Sequence, residues 1–172
     1  MATLSNKNCT RHRREHSRRR RTKALTRIVR VEGDRLMQTE SVQERNKNLV
    51  LEAFDALFNK RDFATAEKFW SPHYIQHSAH IEPGRDGLFD LVRNTPPTLR
   101  YEPGLILAEG AWVIVHGRFS EFGLPVNWIA ADIVRVQDGV LAEHWDVIQD
   151  EATEEQSKSK ALMFATTLPL HS

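Results

Sequence analysis

The chain has 172 residues and a formal net charge of +1, which is long enough for one domain with a real hydrophobic core. Residues 1–36 contain twelve Lys or Arg and three acidic residues, a net of +9, whereas the other 136 residues contain twelve basic and twenty acidic residues, a net of −8. The acidic part argues against nucleic acid as its main ligand, and the single cysteine, Cys9, excludes an intrachain disulfide and a cysteine-bound metal cluster.

Residues 1–40 are predicted to form a basic extension that is disordered in isolation, because so few apolar residues cannot offset the entropy of ordering. It has three functional interpretations: an arm for nucleic acid or an acidic partner, an organelle-targeting peptide, or a nuclear localisation patch. We favour an extension outside the functional domain, with Met37 as the true start, because the composition changes abruptly there. Nucleic-acid binding is expected, if at all, only from this extension.

No apolar run approaches the length of a transmembrane helix, and the N-terminus lacks the apolar segment of a secretory signal. A lone cysteine also fits a reducing compartment. We therefore expect a soluble, cytoplasmic protein with no membrane partner.

Residues 41–150 have the pattern of an α+β domain. Hydrophobic spacing and a candidate N-cap, Asp62, predict helices over residues 42–60, 63–70 and 84–94, with a short strand at 74–77. Alternation then predicts four strands joined by short turns, over residues 99–107, 112–122, 125–136 and 140–149. Helices followed by a hairpin-linked sheet predict a curved antiparallel sheet around the helices, enclosing a pocket. Residues 151–172 are predicted to be a polar C-terminal tail with an apolar patch at 162–164.

Side-chain alternation aims three ionisable residues of the last two strands at one surface. Trp128 and Asp132 share a face of one strand, and His144 and Asp146 share a face of the next. A carboxylate in an apolar pocket can transfer a proton near neutral pH, so Asp132 is the leading catalytic candidate. Asp146 would orient His144 and stabilise its imidazolium, whereas Trp145 points to the reverse side.

His116 is a further candidate on the preceding strand, where it shares a face with Trp112, Ile114 and Arg118. If that face is the concave one, His116 enters the same cavity as Asp132. Arg118 would then join Trp128 in contacting the substrate.

The segment around Tyr74 and His77 contains further polar candidates, because both side chains can polarise a carbonyl oxygen by hydrogen bonding. His73, His77 and His80 lack the spacing of a His-Glu-x-x-His zinc site, so we predict no bound metal. The sequence also has no glycine-rich phosphate loop or dinucleotide fingerprint, and no cofactor is predicted.

Three blocks of sequence resemble the SnoaL-like polyketide cyclase family, which belongs to the nuclear-transport-factor-2-like superfamily. They are Tyr74-Ile75-Gln76-His77, the stretch from Ala131 to Val136 followed by Asp138-Gly139, and Glu143-His144-Trp145-Asp146-Val147. The resemblance covers about residues 42–150. It implies a cone-shaped α+β barrel, often dimeric through the sheet.

The resemblance also implies aldol-type ring closure without cofactor or metal. Asp132 matches the acid/base of the family and His116 its assisting histidine, while His77 and His144 match other histidines of the pattern. We therefore expect a cyclase or lyase acting on a small carbonyl or polyketide-like compound. A dehydratase or isomerase on the same scaffold, a non-catalytic small-molecule-binding dimer, and a scaffold for the basic extension remain alternatives.

Overall fold

The structure, a computed structural model, describes residues 40–166. Every element below belongs to the unit of the chain that begins at Ser41. The predicted basic extension, apart from Glu40, and the end of the predicted C-terminal tail lie outside the described residues. Within them, no helix has both the length and the apolar character needed to cross a membrane.

The described helices are α1 (Val42–Phe54), α2 (Phe63–Ala66) and α3 (Gly84–Asn94). A π-helical turn, Asp55–Asn59, continues α1. Asp62 caps α2 as predicted, because its carboxylate accepts the main-chain N–H of Thr65 at 3.1 Å. The strands are β1 (Trp70–Gln76), β2 (Arg100–Glu109), β3 (Trp112–Ser120), β4 (Trp128–Gln137) and β5 (Val140–Asp150).

The five strands form one sheet in the order β1-β5-β4-β3-β2. Strands β2 to β5 pair antiparallel as a meander, which confirms the predicted hairpins. The pairing of the first strand was not predicted: β1 runs parallel to β5 and aligns Gln76 with His144. A parallel partner needs a long crossover, and here the connection passes through α3 and three antiparallel strands.

The predicted helix over residues 63–70 is too long. It ends at Ala66, and Trp70 is the first residue of β1, where it pairs with Leu141 of β5. The Trp70 side chain is 2% exposed and stacks on Phe54 of α1 at a ring-centroid distance of 6.3 Å. Burial of this large side chain on the sheet outweighs the helical propensity of the segment.

The hydrophobic core lies between the helices and the concave face of the curved sheet. Phe54 and Phe58 from the first helical segment pack edge-on against Tyr101 and Phe119, with ring centroids 5.3 Å and 5.1 Å apart. Val113, Val115 and Val134 complete the sheet side of the core. This arrangement confirms the predicted α+β fold, in which the sheet wraps around helices and leaves a cavity at one end.

Candidate active site

A cavity of about 260 Å³ opens between the helices and the concave face of the sheet. Its wall is mostly aromatic and aliphatic, and its polar side chains come from β1, β4, β5 and the segments that follow β1 and α3. Such a lining is typical of small-molecule sites, in which a few polar groups orient an otherwise apolar ligand. The polar members are Tyr74, Ser78, His80, Thr95, Asp132, His144 and Asp146.

Asp132 and His144 form a buried pair on adjacent strands. Nε2 of His144 lies 3.1 Å from Oδ1 of Asp132, and the two residues are 6% and 3% exposed. Alternation placed both on one face, and the hairpin between β4 and β5 brings them together. At this depth a lone charge would be unfavourable, so the partnership is what allows a carboxylate to lie there.

Gln76 fixes which ring nitrogen of His144 carries a proton. Its Oε1 accepts the main-chain N–H of Ser78 at 2.9 Å and lies 2.9 Å from Nδ1 of His144. Because that oxygen can only accept hydrogen bonds, Nδ1 must be the donor. Nε2 then faces Asp132, and one proton is shared between them: either the imidazolium donates to the carboxylate, or the carboxylic acid donates to the neutral ring.

Two tyrosine hydroxyls form hydrogen bonds with this network of Gln76, His144 and Asp132. Tyr101 donates a long hydrogen bond, 3.4 Å, to Oδ2 of Asp132. The Tyr74 hydroxyl oxygen accepts from Nε2 of Gln76 at 3.4 Å, which leaves its own hydrogen free to donate into the cavity. Burial raises the pKa of both phenols, and the charge of Asp132 adds to the effect. Both hydroxyls therefore remain neutral donors at physiological pH.

Tyr101 is held in place by contacts to its main chain and beneath its ring. Asn59, at the end of the π-helical turn, accepts the Tyr101 main-chain N–H at 2.8 Å and donates to its carbonyl at 3.1 Å, so it satisfies the outer edge of β2. Gly117 of β3 lies beneath the ring, where a Cβ would be only 2.5 Å from the hydroxyl oxygen. The absence of a side chain at Gly117 allows the phenol to reach Asp132.

Asp146 and Trp128 also line the cavity, as alternation predicts. Asp146 lies directly across the β4–β5 pair from Asp132. It does not orient His144: among residues 40–166, no hydrogen bond or ion pair to its carboxylate is present. The prediction that Asp146 holds the imidazole is therefore wrong, and Gln76 fills that role.

The prediction that His116 and Arg118 enter the cavity is also wrong. On β3, Val115 lies opposite Asp132, whereas His116 lies opposite Ala131, which places the histidine on the outer face of the sheet. The His116 ring centroid is 5.9 Å from that of Phe164. Arg118 lies 3.4 Å from Glu102 and 3.5 Å from Glu151, so its guanidinium group forms ion pairs outside the cavity.

His77 does not line the cavity either. Its ring stacks on Trp145 with a centroid distance of 4.4 Å, and Nε2 lies 2.9 Å from Glu143. Glu143 also accepts from Arg135 at 2.8 Å. The predicted substrate contact at His77 is therefore wrong, whereas the prediction that Trp145 points to the reverse face is confirmed.

Comparison with known proteins agrees with the family resemblance seen in the sequence. A family model described as SnoaL-like polyketide cyclase matches residues 48–157. AclR, a proposed hydroxylase from Streptomyces galilaeus, is 28% identical, with a TM-score of 0.50 over 60% of this chain and 78% of that one. No curated protein matches the sequence.

Two further structures share the fold at lower identity. A proposed ketosteroid isomerase from Kribbella flavida is 17% identical, with a TM-score of 0.56 over 64% of this chain and 82% of that one. An NTF2-like protein of unknown function from Cytophaga hutchinsonii is 18% identical, with a TM-score of 0.54 over 66% and 95% of the two chains. The fold is therefore of the nuclear-transport-factor-2-like type.

Proposed function

The chain belongs to the SnoaL-like polyketide cyclase family, and from this membership and the geometry of the cavity we propose that it is an enzyme. The proposed reaction is acid/base chemistry, of the cyclase or lyase type, on a small and mostly apolar carbonyl compound, without a cofactor. The observation that carries the proposal is the buried Asp132–His144 pair, which shares one proton at the wall of an apolar cavity. Shared-proton pairs of this kind are suited to proton transfer.

Asp132 is the proposed base. When the shared proton lies on His144, Asp132 is a carboxylate and can accept a proton from the carbon next to the substrate carbonyl. The electron pair of the broken C–H bond then moves onto the carbonyl oxygen, which becomes an enolate. The enolate carbon then bonds to the carbon of a second carbonyl, whose electron pair moves onto its oxygen. Return of the proton from the pair to that alkoxide oxygen completes the cycle.

Tyr74 is the proposed donor to the enolate oxygen. Its hydroxyl hydrogen is not used within the described residues, because Gln76 donates to the hydroxyl oxygen. A neutral phenol in an apolar wall stabilises a developing oxyanion more strongly than the same group would in water. The sequence offered His116, Tyr74 and His77 for this role, and Tyr74 is the one of the three that lines the cavity.

The test is exchange of α-hydrogens for deuterium in a panel of small ketones and β-dicarbonyl compounds, followed by NMR in deuterated water. Wild type should accelerate exchange for at least one compound, and Asp132→Asn should slow that exchange by about 10²- to 10⁴-fold. The products of any turnover then distinguish ring closure from isomerisation or dehydration.

A matched control is Asp138→Asn in the β4–β5 turn. Asp138 has a left-handed φ of 53°, which asparagine also tolerates, and it lies outside the cavity lining. This variant should retain exchange, and circular dichroism should show that both variants are folded. Unchanged exchange in Asp132→Asn would refute the proposed base.

We also propose that two copies of the chain pair through the outer face of the sheet. The support is an exposed apolar surface on that face, in which each side chain is more than a third exposed, a pattern typical of an interface. This outer apolar face consists of Leu105, Leu107, Trp112, Ile114 and Val147.

A further inference from the structure

One carboxylate of the cavity has no hydrogen bond or ion pair within the described residues. Asp132 contacts His144 and Tyr101, whereas Asp146, directly across the strand pair, receives no hydrogen bond or ion pair from residues 40–166. An ionised carboxylate beside apolar side chains is unfavourable unless a donor or a positive charge faces it. Asp146 is half-buried in the cavity wall, and its charge contributes to the raised pKa of Tyr74. Its carboxylate is therefore available to a bound group.

The cavity is negatively charged wherever the shared proton lies. The Asp132–His144 pair is neutral as carboxylate with imidazolium and equally neutral as carboxylic acid with imidazole. No lysine or arginine is present in the described lining, and the remaining histidine, His80, is exposed at the rim beside Trp128. An ionised Asp146 thus leaves about one net negative charge inside an apolar wall, where electrostatic effects are strong.

We propose that the cavity binds a small apolar molecule that carries a protonated amine, with Asp146 as the partner of the ammonium group. The aromatic rings of the lining favour the same charge, because their faces attract cations. They are Phe54, Phe58, Tyr74, Phe119, Phe122 and Trp128. Carboxylates and phosphates, by contrast, meet Asp146 with no lysine or arginine in the described lining to compensate, so they are disfavoured.

This inference rests on the proposed function in one respect, namely that the cavity is the ligand site. The substrate class follows by combining the two: an aminoketone whose carbonyl faces Tyr74 and Asp132 and whose ammonium faces Asp146. Positioning by a charge at one end would orient the α-carbon toward the base.

The experiment compares three probes with one aromatic skeleton and different charge: phenethylamine, benzyl methyl ketone and phenylacetate. Binding is measured by NMR from the indole N–H of Trp128, which lies in the lining. Wild type should bind the amine at least about tenfold more tightly than the carboxylate. Asp146→Asn should lose that preference and bind the ketone as wild type does.

Asp150→Asn is the matched control, because Asp150 lies on the same strand and the same side but is exposed and outside the lining. It should keep the preference for the amine, which separates a local contact from an effect of net charge. Equal or tighter binding of phenylacetate, an unchanged preference in Asp146→Asn, or no shift with phenethylamine would each overturn the proposal. Amine binding that depends on Asp146, in a protein that exchanges no ketone hydrogens, would instead refute only the proposed function.

Discussion

The side-chain oxygen of Gln76 lies 2.9 Å from Nδ1 of His144 and thereby determines which ring nitrogen of His144 carries a proton. Because Nδ1 carries a hydrogen in either form, Asp132 and His144 have a single proton between them. Gln76 thus controls the position of a proton at the wall of the cavity.

Replacing Gln76 should release His144 from this tautomer. In Gln76→Leu, Nδ1 loses its acceptor, so we expect the ring to populate the other tautomer and the proposed α-hydrogen exchange to fall by about a hundredfold. NMR of the His144 ring nitrogens gives the tautomer directly, independently of any activity. Gln76→Glu retains an accepting oxygen and should keep Nδ1 protonated.

Gln137→Leu is the control for that experiment, since Gln137 is an exposed glutamine on β4 whose oxygen contacts Arg135. It should change neither the His144 signals nor the exchange rate. If Gln76→Leu left the ring-nitrogen signals as they are in wild type, the assigned role of Gln76 would be wrong.

Gly117→Ala should displace the Tyr101 ring and so move its hydroxyl away from Asp132. The new methyl group would overlap ring atoms of Tyr101 at 2.5–2.7 Å, and overpacking of this kind costs about 1–3 kcal/mol of unfolding free energy. Chemical denaturation of the two single variants and the double variant tests the contact: Gly117→Ala should be less destabilising when Tyr101→Ala is also present. Additive effects would show that the two residues do not interact in this way.

The sequence predicted which residues of β4 and β5 face the cavity but not which residues of β3 do, and the difference has a physical reason. The Asp138-Gly139 turn has left-handed φ at both residues, 53° and 77°, which is the geometry of a tight hairpin. The turn pairs Gln137 with Val140 and Val136 with Leu141, but a bulge then shifts the register by one residue, so that Asp132 pairs with Asp146. Without the bulge Asp132 would pair with Trp145, so it is the alternation within each strand, and not the turn, that placed Asp132, His144 and Asp146 on one face. The β3–β4 connection is longer and sets no register.

His116 shows the consequence of an undefined register. One residue of slip moves every side chain of a strand to the other face, and β3 aligns Val115, not His116, with Asp132. The parallel pairing of β1 with β5 was likewise beyond local pattern analysis. Alternation from Tyr74, however, assigns Gln76 to the cavity side and His77 to the reverse side. The predicted substrate contact at His77 could therefore have been avoided from the sequence alone.

The outer face carries a pH-dependent contribution to stability. Hydrogen bonds from His77 and Arg135 lower the pKa of Glu143 below its usual value near 4.5. A carboxylate whose pKa is lower in the folded state stabilises the fold above its unfolded pKa, and this contribution is lost as the pH falls through the folded pKa. Glu143→Gln should therefore lower the melting temperature at pH 7, and the difference from wild type should shrink below about pH 4.

Thermal denaturation between neutral and acidic pH measures this difference. Glu154→Gln, a change at an exposed residue of the C-terminal segment, is the control and should follow wild type throughout. A Glu143→Gln variant that matches wild type at neutral pH would show that the contacts of Glu143 with His77 and Arg135 contribute no net stability.

The outer apolar face predicts the assembly state. Ile114 lies near the middle of that face, opposite Leu107 of β2, and is 42% exposed in the single chain. Ile114→Arg would place a charge that must lose its water on pairing, so we expect light scattering to shift from twice the chain mass of 19.8 kDa to the monomer value. Leu162→Arg is the control, because Leu162 is 77% exposed but is not a member of the face, and it should leave the dimer intact. A monomeric wild type, or an Ile114→Arg variant that still pairs, would mean that this surface serves another contact.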